Sequence, residues 1–247
     1  MQQYYITIRL AGIVIAAAVT YPSTEIFCRE YLTDEKPDFK VIITEEDICR
    51  ERRKSAAEDL KEGIPVRHFT EGYLETLALY RKIAERLPDY HTLLFHGSAI
   101  ALDGAAYLFT AKSGTGKSTH TRLWREKFGS RAVMVNDDKP LLKITDREVL
   151  VCGTPWDGKH HLSNKIAVPL KAICVLQRDS ENHIVPADLR TVYPLMVQQT
   201  FRPTAPLQLS KTLELLNRMM IKTKIYMLGC NMDPDAARVA YEGMKED

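Results

Sequence analysis

The stretch Ala111-Lys112-Ser113-Gly114-Thr115-Gly116-Lys117-Ser118-Thr119 decides how the rest of the sequence is interpreted. Two glycines let the backbone curl so that successive N–H groups face an anion, and a helix beginning here adds its positive end. Lys117 supplies a mobile cation for the β and γ oxygens of a triphosphate. The hydroxyl of Ser118, or of Thr119, is a candidate ligand for the bridging Mg²⁺. Residues 113–119 therefore predict a loop that binds ATP and Mg²⁺, with Ala111 where the first glycine of such motifs often lies.

The segments on either side of this loop support the prediction. Leu93–Leu102 and Ala105–Thr110 are apolar runs that flank Asp103-Gly104, a strong β-hairpin signal. The second run leads directly into the loop, and residues 120–128 can continue as a helix that Gly129 ends. Strand, glycine-rich loop and helix thus follow one another, as a phosphate-binding loop requires.

The whole chain predicts an α/β protein in two parts. Residues 91–247 are expected to form a mixed β-sheet flanked by helices, and residues 1–90 a small α+β subdomain. In the subdomain we predict strands near 4–19 and 39–43 and helices over 45–61 and 71–87. In the larger part we predict further strands at 132–136, 140–144, 148–152 and 171–177, and helices at 188–200, 207–222 and 234–245.

An acidic pair, Asp137-Asp138, follows the short apolar strand 132–136, about twenty residues after the loop. A neighbouring strand would place both carboxylates beside the loop. One could ligate Mg²⁺ while the other accepts a proton from a hydroxyl group. The alternative is a surface turn, because Asp-Asp-Lys-Pro is also typical of turns.

A histidine, His96, precedes Gly97 in the apolar run that enters the hairpin. Gly97 permits close approach of a backbone or a ligand, and the hairpin returns into the phosphate loop. We therefore expect His96 near the transferred phosphoryl group, although a lone histidine in a strand can also be a hydrogen-bonded core residue.

Taken together, His96-Gly97-Ser98, residues 113–119 and Asp137-Asp138 resemble the superfamily that joins HPr serine kinase/phosphorylase with ATP-dependent phosphoenolpyruvate carboxykinase. The resemblance implies a P-loop core of that type. It also implies that the histidine and both aspartates approach the metal and the transferred group, with Asp138 at a position that resembles a carboxykinase metal ligand. Which aspartate is the base is left open.

A second loop, Gly153-Thr154-Pro155-Trp156-Asp157-Gly158-Lys159-His160-His161, looks like a loop of HPr-kinase-related bacterial proteins often found beside peptide-modification genes. Its composition predicts mobile donors and an aromatic wall next to the phosphates. Lys159 is our candidate for a second phosphate contact, with a solvent-exposed lysine as the alternative. Adjacent histidines point apart on an extended chain, which argues against a two-histidine metal site.

Charge and cysteine content limit the classes of partner. A formal charge of +2 over 247 residues, with both signs mixed, offers no basic stripe for nucleic acid. Five widely spaced cysteines without a Cys-x-x-Cys pair argue against a disulfide framework or a thiolate zinc site. The apolar run Leu10–Val19 is too short to cross a bilayer; a buried strand fits it better than a signal-peptide core. We expect a cytoplasmic protein without a membrane partner, and we leave open whether it forms a homo-oligomer.

The sequence therefore predicts an enzyme, an ATP- and Mg²⁺-dependent kinase. Its γ-phosphoryl acceptor would be a serine-like hydroxyl on a protein, a peptide or a small molecule. Lys117, Asp137, Asp138 and His96 are the candidate catalytic residues, and Ser118 and Asp138 the candidate metal ligands. Two alternatives are a nucleotide-binding sensor or scaffold that transfers no phosphoryl group, and a lyase similar to phosphoenolpyruvate carboxykinase.

Overall fold

The computed structural model describes residues 2–112 and 114–245. The chain divides into two compact units, Met1–Arg86 and Leu87–Asp247. Within the described ranges, none of the helices has both the length and the apolar character that crossing a bilayer demands.

The first unit contains a three-stranded sheet and three helices. Strands β1 and β2 form an antiparallel hairpin, and β3 pairs in parallel with β2. All seven residues of β2 are buried, which confirms the prediction that Leu10–Val19 contains a buried strand. The elements of the first unit are β1 (Tyr4–Leu10), β2 (Ile13–Val19), α1 (Pro22–Cys28), β3 (Phe39–Ile42), α2 (Glu45–Glu62) and α3 (Glu71–Ala84).

The second unit is built on one large mixed sheet. Its elements are β4 (Thr92–Leu94), β5 (Ser98–Leu102), β6 (Ala105–Thr110), α4 (Lys117–Phe128), β7 (Ala132–Asn136), β8 (Leu141–Ile144), β9 (Val149–Cys152), β10 (Ala167–Arg178), β11 (His183–Pro186), α5 (Leu189–Gln199), α6 (Pro206–Lys222), β12 (Lys224–Cys230) and α7 (Asp235–Lys245). Along the sheet the strands lie in the order β7-β5-β6-β10-β12-β11, while β9, β8 and β4 extend from the start of β10.

Helices cover both faces of this sheet, because alternate residues of each central strand point to opposite sides. Tyr107 and Phe109 of β6 pack with residues of α4 and α7, whereas Ala106 and Leu108 pack with residues of α5 and α6. The structure thus confirms the mixed α/β class predicted from the sequence.

The predicted hairpin at Asp103-Gly104 is confirmed. Both residues have positive φ, 53° and 83°, as a tight two-residue turn between twisted strands requires. The continuous strand predicted over 93–102 is wrong, because β4 pairs with β8 whereas β5 pairs with β6 and β7. Between them the backbone N–H of His96 donates to Gln199 O at 2.8 Å, and that of Gly97 donates to Asp138 O at 3.0 Å.

Candidate functional site

The candidate residues meet at one edge of the large sheet. Strands β6, β7, β10 and β12 all run in the same direction, so their carboxyl ends lie together, and the antiparallel strand β5 begins at that edge. Ligands of α/β proteins bind at such an edge. The expectation that β7 neighbours β6 is wrong, since β5 lies between them. The acidic pair nevertheless lies at the same edge of the sheet as the loop. Since β5 is antiparallel to both β6 and β7, these two strands run in the same direction.

The glycine loop ends in a helix whose first turn has no side-chain cap. Gly114 and Gly116 have φ of 76° and 120°, a region that side-chain-bearing residues rarely adopt. Gly116 is the N-cap of α4, makes no side-chain cap hydrogen bond, and is followed by a first turn without an acidic residue. The amide groups of the first turn of α4 and the positive helix end therefore remain available to an anion. Ser113, predicted to bind phosphate, lies outside the described residues.

The loop lysine is close to both members of the acidic pair. Burial lowers the pKa of Lys117 below its usual value, and the charges of Asp138 and Asp137 oppose this shift only in part. Lys117, Asp137 and Asp138 therefore form one charged group beside the loop. Ser118 and Thr119 are half-buried on the first turn of α4.

Asp137 is held inside the protein by a chain of hydroxyl groups. Its carboxylate is buried and accepts a hydrogen bond from Ser98 Oγ at 2.5 Å. Ser98 Oγ also lies 3.0 Å from Thr121 Oγ1. An ionised carboxylate only accepts, so Ser98 donates its single proton to Asp137. Thr121 is then the donor in its 3.0 Å contact with Ser98, and its hydroxyl also lies 3.3 Å from the Ser118 carbonyl oxygen. The chain connects α4, which follows the loop, to the end of β7.

Asp138 is the more exposed acid and lies against two bases. Its Oδ1 is 3.3 Å from His96 Nε2, and its Oδ2 is 3.6 Å from Lys139 Nζ. Burial raises the pKa of Asp138, but the hydrogen bond from His96 and the charges of Lys139, His96 and Lys117 outweigh it, so the pKa lies below its usual value. His96 therefore belongs to the site, and it lies in the break between β4 and β5 instead of within a strand.

Asn136, which the sequence analysis did not select, sets the turn that carries the acidic pair. Its Oδ1 accepts hydrogen bonds from the backbone N–H of Asp138 at 2.9 Å and of Lys139 at 2.7 Å. Its Nδ2 donates to the carbonyl and hydroxyl oxygens of Thr154, each at 3.1 Å. An asparagine directly before Asp-Asp-Lys-Pro was the available signal, because such side chains commonly bond to backbone two residues on. The turn points the two carboxylates in different directions.

Comparisons with known proteins add little to this geometry. The sequence matches no family model and no curated protein. Among solved structures, it is similar to the Hpr(Ser) kinase/phosphatase from Coxiella burnetii, with a TM-score of 0.33 and 12% sequence identity. The similarity covers 62% of this chain and 99% of that chain. Values this low carry no conclusion about function.

The loop after β9 is placed differently from the prediction. Trp156 is only 4% exposed, so the aromatic wall expected beside the phosphates is wrong: the ring belongs to the interior. Gly158 lies against Asp138, since a Cβ added there would come within 3.2 Å of the Asp138 Cβ. Lys159 follows in a short 3₁₀ turn and is exposed to solvent. The loop thus borders the acidic pair through a glycine.

The residues of the site suit Mg²⁺, which takes few protein ligands, better than a metal ion whose ligands all come from the protein. In the two described ranges, no cluster of three or more His, Cys, Asp or Glu side chains could hold a metal ion. Mg²⁺ ordinarily binds one or two protein oxygens and completes its shell with phosphate oxygens and water. One hydroxyl, on Ser118, and one partly exposed carboxylate, on Asp138, match that ligand set.

Proposed function

We propose that this protein is an ATP- and Mg²⁺-dependent phosphotransferase that moves the γ-phosphoryl group to a hydroxyl acceptor. One observation carries the proposal: the half-buried Lys117 lies within reach of the charges of both Asp137 and Asp138, beside an uncapped helix N-terminus. A site for a triphosphate alone needs the cation and the amide groups but not two adjacent carboxylates. Phosphoryl transfer needs the carboxylates in addition, one as a metal ligand and one as the acceptor of the proton.

The two acids divide the work according to their surroundings. Asp138 is partly exposed, so with Ser118 it would hold Mg²⁺, which supplies positive charge to the bridging phosphate oxygens. Asp137 is buried and fixed through Oδ1 by Ser98, which leaves Oδ2 for the acceptor. A base held in one orientation takes the acceptor's proton as the new O–P bond forms and the bond to the leaving diphosphate breaks.

The remaining candidate residues stabilise charge. Lys117 neutralises the β and γ oxygens as charge moves to the leaving group. His96 donates to Asp138 and orients it. Lys159 is proposed to reach a phosphate when the loop after β9 closes, since neighbouring Gly158 already lies against Asp138. The acceptor is a serine-like hydroxyl on a protein, a peptide or a small molecule.

The test is transfer of labelled γ-phosphate from ATP. The acceptor panel contains free serine, the chain's own hydroxyl groups, and the proteins and peptides encoded beside its gene. Lys117→Ala should lower transfer by at least about 100-fold, because it removes a cation that acts on the transferred group. Lys127→Ala, an exposed lysine on the same helix, is the matched control and should leave transfer unchanged.

Two results would contradict the proposal. If MgATP binds through Lys117 but no acceptor is labelled and no ATP is consumed, the protein is a nucleotide sensor. If Asp137→Asn and Asp138→Asn both retain transfer, the division of work between the acids is wrong.

A further inference from the structure

A cleft of about 550 Å³ opens beside the glycine loop, on the side away from the acidic pair's strand. Its walls are the loop glycines Gly114 and Gly116 and the carboxyl ends of β10 and β12, at Arg178 and Cys230. Its volume lies within the range of about 300–1,000 Å³ typical of small-molecule sites. We propose that this cleft holds the purine base of the nucleotide whose phosphates bind the loop. The inference rests on the proposed function and adds a base-binding half to the proposed phosphate-binding site.

The cleft offers an apolar surface to a flat ring. Leu123 of α4 and Leu176 of β10 are buried side chains that line it. Met232, just after β12, also lines it but is 77% exposed, so this flexible side chain has free surface to lay on a ligand. A base in contact with these side chains removes apolar area from water.

His120 supplies a hydrogen-bond donor that lacks an acceptor. Its ring lines the cleft and is 2% exposed, and its Nε2 lies 3.1 Å from Trp124 Nε1. An indole nitrogen only donates, so Nε2 must be the acceptor and the neutral ring carries its proton on Nδ1. Nδ1 is buried and has no hydrogen-bond partner among the described residues. Purine ring nitrogens are acceptors of the kind this N–H group needs.

The cleft and the loop form one continuous site. Arg178 Nη2 donates to the Gly114 carbonyl oxygen at 2.6 Å, which ties the end of β10 to the loop. Gly114, Thr115 and Gly116 border the cleft and are also the loop residues expected around the phosphates. A nucleotide with phosphates on the loop therefore has its base directed into the cleft, with Arg178 beside the junction.

The first experiment separates the base from the phosphates by calorimetric titration with MgATP and with magnesium tripolyphosphate, which lacks the nucleoside. His120→Phe keeps an aromatic ring but removes both nitrogens. We expect it to weaken MgATP binding about tenfold and tripolyphosphate binding less than twofold. Met232→Ala changes an exposed side chain, so it tests the cleft without disturbing the interior, and we expect about a threefold loss for MgATP alone.

The second experiment needs no variant. Cys230 lines the cleft and is half-exposed. Cys49, in the first unit, is also half-exposed but does not line the cleft, so it serves as an internal control. MgATP should slow alkylation of Cys230 by iodoacetamide at least fivefold without affecting Cys49, and tripolyphosphate should protect neither thiol. Equal affinity for both ligands in every variant, with Cys230 unprotected by MgATP, would overturn this inference alone. Binding of neither ligand to the wild-type chain would overturn the proposed function as well.

Discussion

Ser98 Oγ donates a hydrogen bond to Asp137 Oδ1 at 2.5 Å, and both side chains are buried. The bond joins the first residue of β5 to the residue that follows β7, the neighbouring strand. Thr121 extends it to α4, the helix that follows the glycine loop. The carboxylate is thereby oriented from the same helix that carries Lys117, so the positions of acid and cation are coupled.

Ser98→Ala should lower both stability and turnover. The change leaves a buried carboxylate oxygen without its donor, which costs about 1–3 kcal/mol of unfolding free energy. We expect kcat to fall more than the KM for ATP changes, because the glycine loop itself is intact. Urea unfolding and steady-state kinetics measure the two effects.

Thr121→Val is the companion variant, since it removes the outer hydrogen bond of the chain together with the longer contacts of the Thr121 hydroxyl to the Lys117 and Ser118 carbonyl oxygens. Combined with Ser98→Ala it should cost less than the sum of the two single changes, because Thr121 acts on Asp137 through Ser98. Strict additivity, or a Ser98→Ala protein with normal kcat, would show that this chain does not position the acid.

His96→Ala should raise the pKa of Asp138, because it removes the hydrogen bond that most strongly lowers that pKa against the effect of burial. A carboxylate whose folded pKa is depressed contributes stability above its unfolded pKa and loses it as the pH falls through the folded pKa. In the variant this loss should therefore occur at higher pH. Carbon NMR of the Asp138 carboxyl, assigned with Asp138→Asn, follows the titration.

Lys139→Ala is the control for this prediction. Lys139 also lowers the pKa of Asp138, but from 3.6 Å and without a hydrogen bond, so its removal should shift the titration less. A larger shift for Lys139→Ala than for His96→Ala would mean that charge alone, and not the contact with His96, sets the acidity of Asp138.

His120 should make the protein less stable as the pH falls below about 6.5. Burial lowers the pKa of its imidazole to about 3, so the folded state stays neutral while the unfolded state takes up a proton. The unfolding free energy should then fall by up to about 1.4 kcal/mol per pH unit from this group, until the pH approaches its folded pKa. Urea titrations between about pH 4 and pH 7 measure the slope.

His120→Gln keeps an oxygen that can accept from Trp124 and removes the titratable group. Its stability should depend on pH with a slope smaller by about one proton than that of the wild type. Identical slopes for the two proteins would show that His120 is not kept neutral by burial.

Gly97→Ala should disturb the site, whereas Gly104→Ala should not. A Cβ at Gly97 would lie 2.9 Å from both the Phe109 carbonyl oxygen and Leu108 Cδ1, and the backbone oxygen cannot move without breaking the strand pairing. We expect a loss of about 1–3 kcal/mol in stability and a lower kcat, since neighbouring His96 is displaced.

Gly104 has open space around it and a φ of 83°, so alanine there costs about 1 kcal/mol of backbone strain and leaves turnover unchanged. Thermal unfolding and phosphoryl-transfer rates of the two variants test the contrast. Equal kcat values would mean that the break at His96 tolerates movement.

Local chemistry made several features predictable. Glycine spacing at 114 and 116, with Lys117, predicts its own loop conformation, since only glycine adopts such φ angles freely. Asp103-Gly104 likewise predicts a tight turn, and a fully apolar run predicts the buried strand β2. The acidic pair is recognisable because it follows a short strand directly.

Other features depended on which segments pair. Strand β12 was not predicted, although it pairs with both β10 and β11. It begins at the exposed Lys224, one residue after α6, and local pattern did not separate it from its surroundings. β11 and α1 were missed as well. The division of 93–102 into β4 and β5 follows from their different partners, which lie far along the chain.

The sequence by itself determined the glycine loop, the acidic pair and the mixed α/β class, because each depends on residues adjacent in the chain. Only the tertiary structure decided that β5 lies between the two, that Ser98 orients Asp137 and that Trp156 is interior. It also decided that His120 lines a cleft and that its Nδ1 has no hydrogen-bond partner within residues 2–112 and 114–245. The physical reason is that hydrogen bonding and burial between distant segments are settled by packing of the whole sheet, which no local pattern encodes.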